Sequence, residues 1–247
     1  MFESVNKAVR SRRNVRPEGF SLGTELIADI FDYAKPLGHN EAKENSNLGF
    51  GFLYYGAVRA LRPEHVVVIG SGFGFSVVCL ALGLKDNGKG KLTFVDPSYD
   101  VFKQGPFKTV GGRGHWSDPE SVQRHFSQFG VEELITHHKL ANKEFFPKYE
   151  SLGLGGVDMA FVDGNHSYDN VKYDFTEILI RSRKNTYIFL HDTNIYIREI
   201  VRNSGVKRWL KRIRKEGALF EFIDFPFSSG VAMVHVLRDD AWKELNH

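Results

Sequence analysis

The chain has 247 residues, of which 42% are hydrophobic, a size that suits one large α/β domain built on a single core. Its 33 basic and 30 acidic residues leave a formal net charge of +3, so the composition lacks the general basic excess of a nucleic-acid-binding protein. A single cysteine, Cys79, excludes an internal disulfide, and its apolar neighbours predict a buried helix position. No apolar run approaches the roughly 20 residues of a membrane span, and the charged N-terminus lacks the apolar stretch of a signal peptide. We therefore expect a cytoplasmic protein without a membrane partner.

The N-terminal quarter differs in pattern from the rest of the chain. Thr24–Phe31 has the apolar spacing of a helix, and a polar segment follows over residues 38–47. We interpret residues 1–60 as a helical N-terminal cap. Residues 61–247 then form the main domain, which we expect to be a single folding unit.

From residue 66 onward the pattern alternates between strand and helix. Val66–Ile69 predicts a buried strand, Ser76–Leu84 a helix and Lys91–Val95 a second strand. Later strands are predicted over Ile135–Leu140, Asp158–Val162 and Thr186–Leu190. This alternation predicts the α/β class, with right-handed crossovers and a parallel sheet.

Two further helices are indicated by different signals. Asp118 and Pro119 are typical of an N-cap and first helical position, and Gly130 is suited to end that helix. The segment Arg198–Lys215 is rich in basic residues. It is interpreted either as a solvated helix face or as a site for phosphate or an acidic partner.

The last two apolar runs predict an antiparallel end to the sheet. Leu219–Phe227 and Gly230–Leu237 are separated only by Ser228 and Ser229. A connection this short suits a hairpin and cannot hold the crossover that parallel strands need. A plain dinucleotide-binding fold continues instead with further strand–helix units.

A glycine-rich turn follows the first buried strand. The segment Val66–Ser76 is a strand, a turn with glycines at Gly70, Gly72 and Gly74, and the start of a helix. Glycines allow the tight turn and the close approach of a ligand to helix N-terminal N–H groups. Asp96 ends the next strand, where a carboxylate can accept hydrogen bonds from ribose hydroxyls. The pairing predicts a site for an adenosine-containing cofactor.

Two later strands each end at an aspartate. Asp163 follows one apolar run and Asp192 follows the next, and His166 lies three residues after the first aspartate. The carboxyl ends of parallel strands face a common ligand crevice. Paired carboxylate oxygens suit a hard divalent cation, and a histidine beside them can serve as a base.

These motifs together resemble a known family. The glycine spacing, the terminal hairpin, the F-V-D-G-N-H-S-Y sequence of Phe161–Tyr168 and the H-D-T sequence of His191–Thr193 are similar to class I S-adenosylmethionine-dependent methyltransferases over roughly residues 45–238. Within that class the chain resembles the branch of macrocin-type and mycinamicin-type sugar O-methyltransferases and cephalosporin-hydroxylase-like proteins. Phe75 stands where a dehydrogenase fingerprint would need a glycine, which disfavours a nicotinamide-dependent reductase. The resemblance implies a Rossmann-like fold with a seven-stranded, mostly parallel sheet.

The resemblance implies S-adenosylmethionine as the cofactor. The residues that it assigns to cofactor binding are Gly70, Ser71, Gly72, Gly74 and Asp96. The family often has an acidic residue two positions before the first glycine, where this chain has Val68. Asn47, Ser71 or the loop after Asp163 are the candidates to hold the methionine amino group instead.

The resemblance also implies a divalent metal. It assigns Asp163 and Asp192 as ligands, with His191 at the position of a third. The cation is magnesium or manganese, and the imidazole at 191 favours manganese, iron or another transition metal over magnesium. Asp163 and His166 are the catalytic candidates, with His166 as the base because Asn165, where some relatives have an aspartate, cannot take a proton.

Structural alternatives exist for these residues. Asp163 and Asp192 could instead cap the helices that begin near Tyr168 and Tyr196. Trp116 belongs to the glycine-rich segment Phe102–Ser117, which is either a lid over the substrate or an ordinary loop. The histidines are open to the simpler interpretation of hydrogen-bonded packing residues.

The combined pattern predicts an S-adenosylmethionine-dependent O-methyltransferase that acts with metal assistance on a small hydroxylated acceptor, sugar-like or a natural product. A nucleic-acid methyltransferase is the less favoured alternative, because the Asn/Asp-Pro-Pro-aromatic motif is absent after Val162. A cofactor-binding protein of this fold without turnover is the third hypothesis. A homo-oligomer is left open.

Overall fold

The computed structural model describes residues 20–99, 102–104, 107–109, 114–194 and 205–245, and for 102–104 and 107–109 only the backbone. The strands are β1 His65–Ile69, β2 Lys91–Val95, β3 Phe102–Gln104, β4 Phe107–Thr109, β5 Ile135–His138, β6 Val157–Val162, β7 Ser182–His191, β8 Phe220–Phe225 and β9 Val231–Val236. The helices are α1 Thr24–Asp29, α2 Phe50–Leu61, α3 Phe75–Asn87, α4 Pro119–Ser127, α5 Asn142–Phe145, α6 Tyr168–Ile180, α7 Gly205–Ile213 and α8 Ala241–Leu245. A π-helical turn, Ile30–Ala34, continues α1, and 3-10 turns cover Lys43–Asn45, Glu132–Leu134 and Phe146–Lys148.

Seven of the strands form one sheet in the order β5-β2-β1-β6-β7-β9-β8. The pairs from β5 to β7 are parallel, whereas β9 is antiparallel to both β7 and β8. This confirms the predicted seven-stranded, mostly parallel sheet with antiparallel C-terminal strands. Strand order reverses between β1 and β6, and open α/β sheets bind ligands at such a switch point, outside the carboxyl ends of the strands.

The central strands bury both faces because alternate side chains enter separate cores. In β1, Val66 and Val68 join the core that includes α2 and α3, whereas Val67 and Ile69 join the core that includes α6 and α7. Side chains alternate across a strand, so a continuous apolar run is what a strand covered on both faces requires. The helices on the two faces hold the strand ends, and hence the crevice, in a fixed position.

The sequence-predicted boundaries differ from the structure mainly at strand β7. It begins at Ser182, before the predicted Thr186, and its first residues are exposed or half-buried where the register with β6 shifts. The predicted cap of α4 is confirmed, because the Asp118 carboxylate accepts a hydrogen bond from the Ser121 N–H at 3.0 Å. Cys79 is fully buried in α3, as predicted.

The basic segment is described only in part, since residues 198–204 lie outside the described ranges. Within α7, Trp209 is buried with its ring against Tyr168 and Phe175. Beyond the helix, Arg214 forms an ion pair with Asp224 at 2.6 Å. The described part therefore has a packed apolar face, and this arginine is engaged locally. No helix within the described ranges has the length and apolarity to cross a membrane.

Helices α2 and α3 pack at unusually close range through glycine. A Cβ atom added to Gly83 would lie 2.7 Å from the Val58 Cβ and 3.1 Å from the Tyr55 carbonyl oxygen. Gly56, on the exposed side of α2, has nothing within 4 Å of its added Cβ. Of these two glycines, only Gly83 is required by the contact between α2 and α3.

We expect Gly83→Ala to lower the free energy of unfolding by about 1–3 kcal/mol, because the added methyl group overpacks the α2–α3 contact. The matched control Gly56→Ala should raise it by about 0.5–1 kcal/mol, since alanine lowers the entropy cost of a helical glycine. Urea denaturation of both variants measures the difference. Equal effects would show that the two helices do not depend on close approach at position 83.

Candidate functional site

The glycine turn between β1 and α3 lies at the switch point of the sheet. Gly70, Gly72 and Gly74 all have positive φ angles, of 70°, 39° and 87°. A Cβ at Gly70 would lie 2.6 Å from the Asp163 carbonyl oxygen, and one at Gly74 would lie 2.9 Å from the Trp116 ring. A Cβ at Gly72 would meet nothing within 4 Å. Two glycines are therefore required by packing, and the third borders open space.

Asp96 follows β2 beside this turn. Its carboxylate accepts a hydrogen bond from the Ser98 N–H at 2.7 Å. Burial raises the pKa of Asp96 to about 6, against the opposing effect of the Ser98 and Ser71 N–H groups. The Ser71 hydroxyl is buried and lies 2.6 Å from the Ser76 hydroxyl. The site thus contains a carboxylate whose charge would be stabilised by additional donors.

Trp116 forms a wall of the glycine turn. Its indole N–H donates to the Gly72 carbonyl at 2.9 Å, and its ring stacks on Phe126. With 1% of its surface exposed, Trp116 is a core residue in this structure. The side chains of residues 102–113 lie outside the described ones, and the lid remains a prediction for that segment.

Asn47 lies in the turn that leads into α2. Its side-chain oxygen accepts a hydrogen bond from the Gly49 N–H at 2.8 Å, and its backbone pairs with Ala42. These contacts shape the turn, and a contact with the cofactor remains a prediction.

The two predicted aspartates and both histidines meet in one cluster at the ends of β6 and β7. His166 bridges the carboxylates, with its Nε2 at 3.2 Å from Asp163 Oδ1 and its Nδ1 at 2.8 Å from Asp192 Oδ2. His191 Nδ1 lies 3.0 Å from Asp163 Oδ1 and 3.4 Å from Asp192 Oδ1. The four residues that the sequence pattern predicted for this site therefore lie together in the structure.

Backbone geometry excludes one of the simpler interpretations. The N-cap of α6 is Ser167, so Asp163 does not cap that helix. Asp192 adopts the left-handed region with φ 61°, a conformation that costs energy outside glycine and is common at functional sites. The chain after it is held by the Asn194 N–H, which donates to the Ser229 carbonyl at 2.7 Å. Residues 195–204 are outside the described ranges, so the capping alternative for Asp192 is untested.

Mutual charge determines the protonation of the cluster without a metal. Burial disfavours the imidazolium of His166, but Asp192 and Asp163 outweigh it and raise the pKa of His166 to about 9. Burial also opposes ionisation of Asp163, yet His191 and His166 hold the pKa of that carboxyl well below its ordinary value. The pKa of His191 is raised and that of Asp192 lowered for the same reasons. The metal-free cluster is accordingly two carboxylates balanced by protonated imidazoles.

His39 is a member of the cluster that the sequence did not reveal. It lies in the loop before α2, with its ring stacked on His191 at 4.3 Å between centroids and its Nδ1 at 3.0 Å from the Tyr54 hydroxyl. Burial lowers the pKa of His39 to about 3, with His191 acting in the same direction. No local motif marks it, since its loop reaches the strand ends only through tertiary contacts.

Two overlapping sets of side chains are close enough to hold a cation. One is His39, Asp163 and His191, and the other is Asp163, His166 and Asp192. In each set the three ligand atoms lie within 4.8 Å of one another. Asp163 belongs to both, which makes it the central residue of the cluster.

Sheet order, glycine turn and acidic strand ends define an α/β enzyme fold of the methyltransferase type, and comparison with known proteins agrees. A family model described as a methyltransferase domain matches residues 67–193, just over half of the chain. The chain therefore belongs to this methyltransferase family. The match runs from β1 to the residue after Asp192, and so includes the glycine turn and both aspartates.

Solved structures share the fold at low identity. The O-methyltransferase TomG from Streptomyces achromogenes, which acts in tomaymycin synthesis and was solved with S-adenosylmethionine, is 18% identical with a TM-score of 0.58, covering 93% of this chain and 95% of its own. An O-methyltransferase from Bacillus cereus, solved with S-adenosylhomocysteine, is 15% identical with a TM-score of 0.60, covering 94% of this chain and 97% of its own. These likenesses establish the class I fold.

A curated sequence relative is much longer. The uncharacterized protein y4gI of Sinorhizobium fredii is 24% identical over 179 residues, which are 72% of this chain and 18% of that protein. The chain thus spans less than a fifth of the length of this relative.

The charge cluster predicts a pH-dependent stability in the presence of a chelator. Because the folded pKa of His166 is raised from 6.5 to about 9, its stabilising effect is complete below pH 6.5 and is lost as the pH rises through 9. The free energy of unfolding should fall over that interval with a slope approaching about 1.4 kcal/mol per pH unit. The carboxylates, whose pKa values are lowered, lose their effect only in acid. Thermal unfolding across pH 5–10 in EDTA measures this pH dependence of stability. His166→Gln should flatten the alkaline slope. The control variant His235→Gln, outside the cluster, should retain the wild-type slope.

Proposed function

We propose that the chain is an S-adenosylmethionine-dependent O-methyltransferase that acts with a divalent cation on a hydroxyl of a small acceptor. The observation that carries the proposal is the cluster of two carboxylates and two imidazoles beside the glycine turn. The acceptor is of the sugar-like or natural-product class, in line with the motif resemblance to macrocin-type and mycinamicin-type enzymes. A methyl acceptor of this kind needs its oxygen deprotonated beside the donor, and the cluster offers the groups for that task.

The glycine turn fits the proposed cofactor. The open space at Gly72 is where a ligand can approach the backbone, whereas Gly70 and Gly74 are closed by protein. Asp96 is a half-buried carboxylate whose pKa is raised by burial, and two ribose hydroxyls could donate hydrogen bonds to it. The cofactor would be held by the turn of Gly70, Ser71, Gly72 and Gly74 together with Asp96. S-adenosylmethionine and S-adenosylhomocysteine bound to the similar TomG and Bacillus cereus proteins support this assignment.

The strand-end cluster fits a divalent cation. Asp163, Asp192 and His191 would hold it, because His191 Nδ1 lies 3.0 Å from an Asp163 oxygen and 3.4 Å from an Asp192 oxygen, and the carboxylates carry negative charge that needs balancing. When bound, such a cation would lower the pKa of the acceptor hydroxyl. With the charge of the carboxylates balanced in this way, the pKa of His166 would fall towards its ordinary value, and the imidazole could act as a base.

The proposed reaction is an in-line displacement. The acceptor oxygen forms a bond to the methyl carbon as the carbon–sulfur bond breaks, and its electron pair returns to sulfur, which becomes a neutral thioether. His166 takes the hydroxyl proton, and Asp192, 2.8 Å from its Nδ1, orients the ring. The glycine turn and the cluster are adjacent through Gly70 and Asp163, so donor and acceptor can be held in line.

Cofactor binding is tested by calorimetry with S-adenosylhomocysteine. Asp96→Ala should weaken binding by roughly tenfold to a hundredfold, the loss expected for hydrogen bonds to a charged group. Asp118→Ala removes a carboxylate from the exposed cap of α4 and should leave affinity unchanged while lowering stability through loss of the cap. Equal affinities of wild type and Asp96→Ala would place the cofactor elsewhere.

Methyl transfer is tested with labelled S-adenosylmethionine and a panel of sugar and phenolic acceptors, with and without divalent cations. Asp163→Asn, Asp192→Asn and His166→Gln should each lower kcat by about a hundredfold or more, because each removes a cluster group that bears on the acceptor proton. Affinity for S-adenosylhomocysteine should persist in all three. Full rates in EDTA would contradict metal assistance, and tight cofactor binding without any methylated product would favour a binding protein without turnover.

A further inference from the structure

The cluster contains more imidazole than a site for a hard cation requires. His39, from the loop before α2, stacks on His191 and offers a ligand atom within 4.8 Å of those of His191 and Asp163. We propose that His39, His191 and Asp163 form a nitrogen-rich centre that binds a first-row transition metal in preference to magnesium. The proposal deepens the metal-assisted transfer proposed above and rests on it for its role in the reaction.

Hydrogen bonds determine which nitrogen of His191 faces the cluster. The Ser229 hydroxyl donates to the Gly38 carbonyl, so its oxygen is left to accept a hydrogen bond from His191 Nε2 at 2.9 Å. The Gly38 carbonyl, a pure acceptor, also lies 3.4 Å from that nitrogen. His191 Nε2 therefore carries a proton. Metal-bound histidines are commonly oriented by such a contact on the nitrogen away from the metal.

The other nitrogen of His191, Nδ1, faces the carboxylate oxygens. His191 Nδ1 lies 3.0 Å from Asp163 Oδ1 and 3.4 Å from Asp192 Oδ1. In the metal-free cluster a proton on this nitrogen lies between it and the carboxylates, and a metal ion can take the place of that proton. The second imidazole nitrogen, from His39, favours a transition metal in that position.

His39, like His191, is oriented by a hydrogen bond to one of its ring nitrogens. Its Nδ1 is 3.0 Å from the Tyr54 hydroxyl, which leaves Nε2 as the nitrogen it can offer to a metal. The ring is buried among His191, Phe75 and Tyr54, and its backbone N–H donates to the Glu41 carboxylate at 2.6 Å. The loop is thus fixed before any ligand binds, which lowers the entropy cost of using His39 as a ligand.

The donor set predicts the metal. Two imidazoles with a carboxylate suit zinc, iron, cobalt or nickel, whereas magnesium prefers oxygen ligands and retains its water. Cobalt(II) is a suitable probe because its visible absorption changes when nitrogen ligands replace water. The full chain should bind cobalt at least tenfold more tightly than magnesium.

The test compares two variants that keep an aromatic ring. His39→Phe preserves the stack on His191 and removes the ligand nitrogen, and it should lower cobalt affinity by tenfold to a hundredfold, shift the visible spectrum and leave magnesium affinity unchanged. His235→Phe is the matched control, since His235 also stacks on a ring, that of Tyr187 at 4.5 Å, outside the cluster. It should bind cobalt as the wild type does. Tyr54→Phe keeps both imidazoles, and it should weaken cobalt binding by up to about tenfold through loss of the contact that orients His39.

The outcomes separate this inference from the proposed function. Unchanged cobalt affinity and spectrum in both His39→Phe and Tyr54→Phe would overturn it, as would a wild-type chain that binds magnesium as tightly as cobalt. If His39→Phe fails to fold by circular dichroism, the Tyr54→Phe result decides. A cobalt spectrum that depends on His39 in a chain that methylates no acceptor would support the metal centre and refute the O-methyltransferase proposal.

Discussion

The attraction between two strand-end carboxylates and the imidazoles between them is the interaction on which the site depends. Asp163 and Asp192 end neighbouring parallel strands, so the fold itself forces two like charges together in a partly buried crevice. Unbalanced, they would destabilise the carboxyl edge of the sheet, since buried charge is costly without a partner. His166 and His191 supply the balance without metal, and a cation can supply it when bound. The same charges therefore affect both the stability of the fold and the proposed function of the site.

Backbone contacts join the cluster to the glycine turn. The Asp163 N–H donates to the Ile69 carbonyl at 2.8 Å, and Gly70 lies against the Asp163 carbonyl so closely that any side chain would collide. Because β1 and β6 are adjacent at the reversal of strand order, the groups proposed for the methyl donor and those proposed for the acceptor share one rigid edge. A displacement of one would displace the other, which suits chemistry that depends on alignment.

Much of this arrangement could be predicted from the sequence because its signals are local. Buried parallel strands appear as continuous apolar runs, Asp118 has the chemistry of a cap, and Asp163, His166, His191 and Asp192 lie on two strand ends that the topology must bring together. His39 could not be found in this way, because its position results from hydrogen bonds and ring contacts with distant elements. The burial of Trp116 could not be predicted for the same reason, since nothing local distinguishes a loop tryptophan from one that packs against a glycine turn.

The contribution of His39 also bears on how the family fold can vary. The matched methyltransferase domain begins at residue 67, so the aspartates belong to the shared unit while His39 lies before it. This loop lies outside the matched domain, and it reaches the charge cluster through His191 and Ser229. In the centre proposed above, the carboxylates of the matched domain would balance the charge of the cation, and the preceding loop would add the nitrogen ligand that selects it. In the proposed centre, metal preference is therefore set by a segment that the strand-end motif does not include.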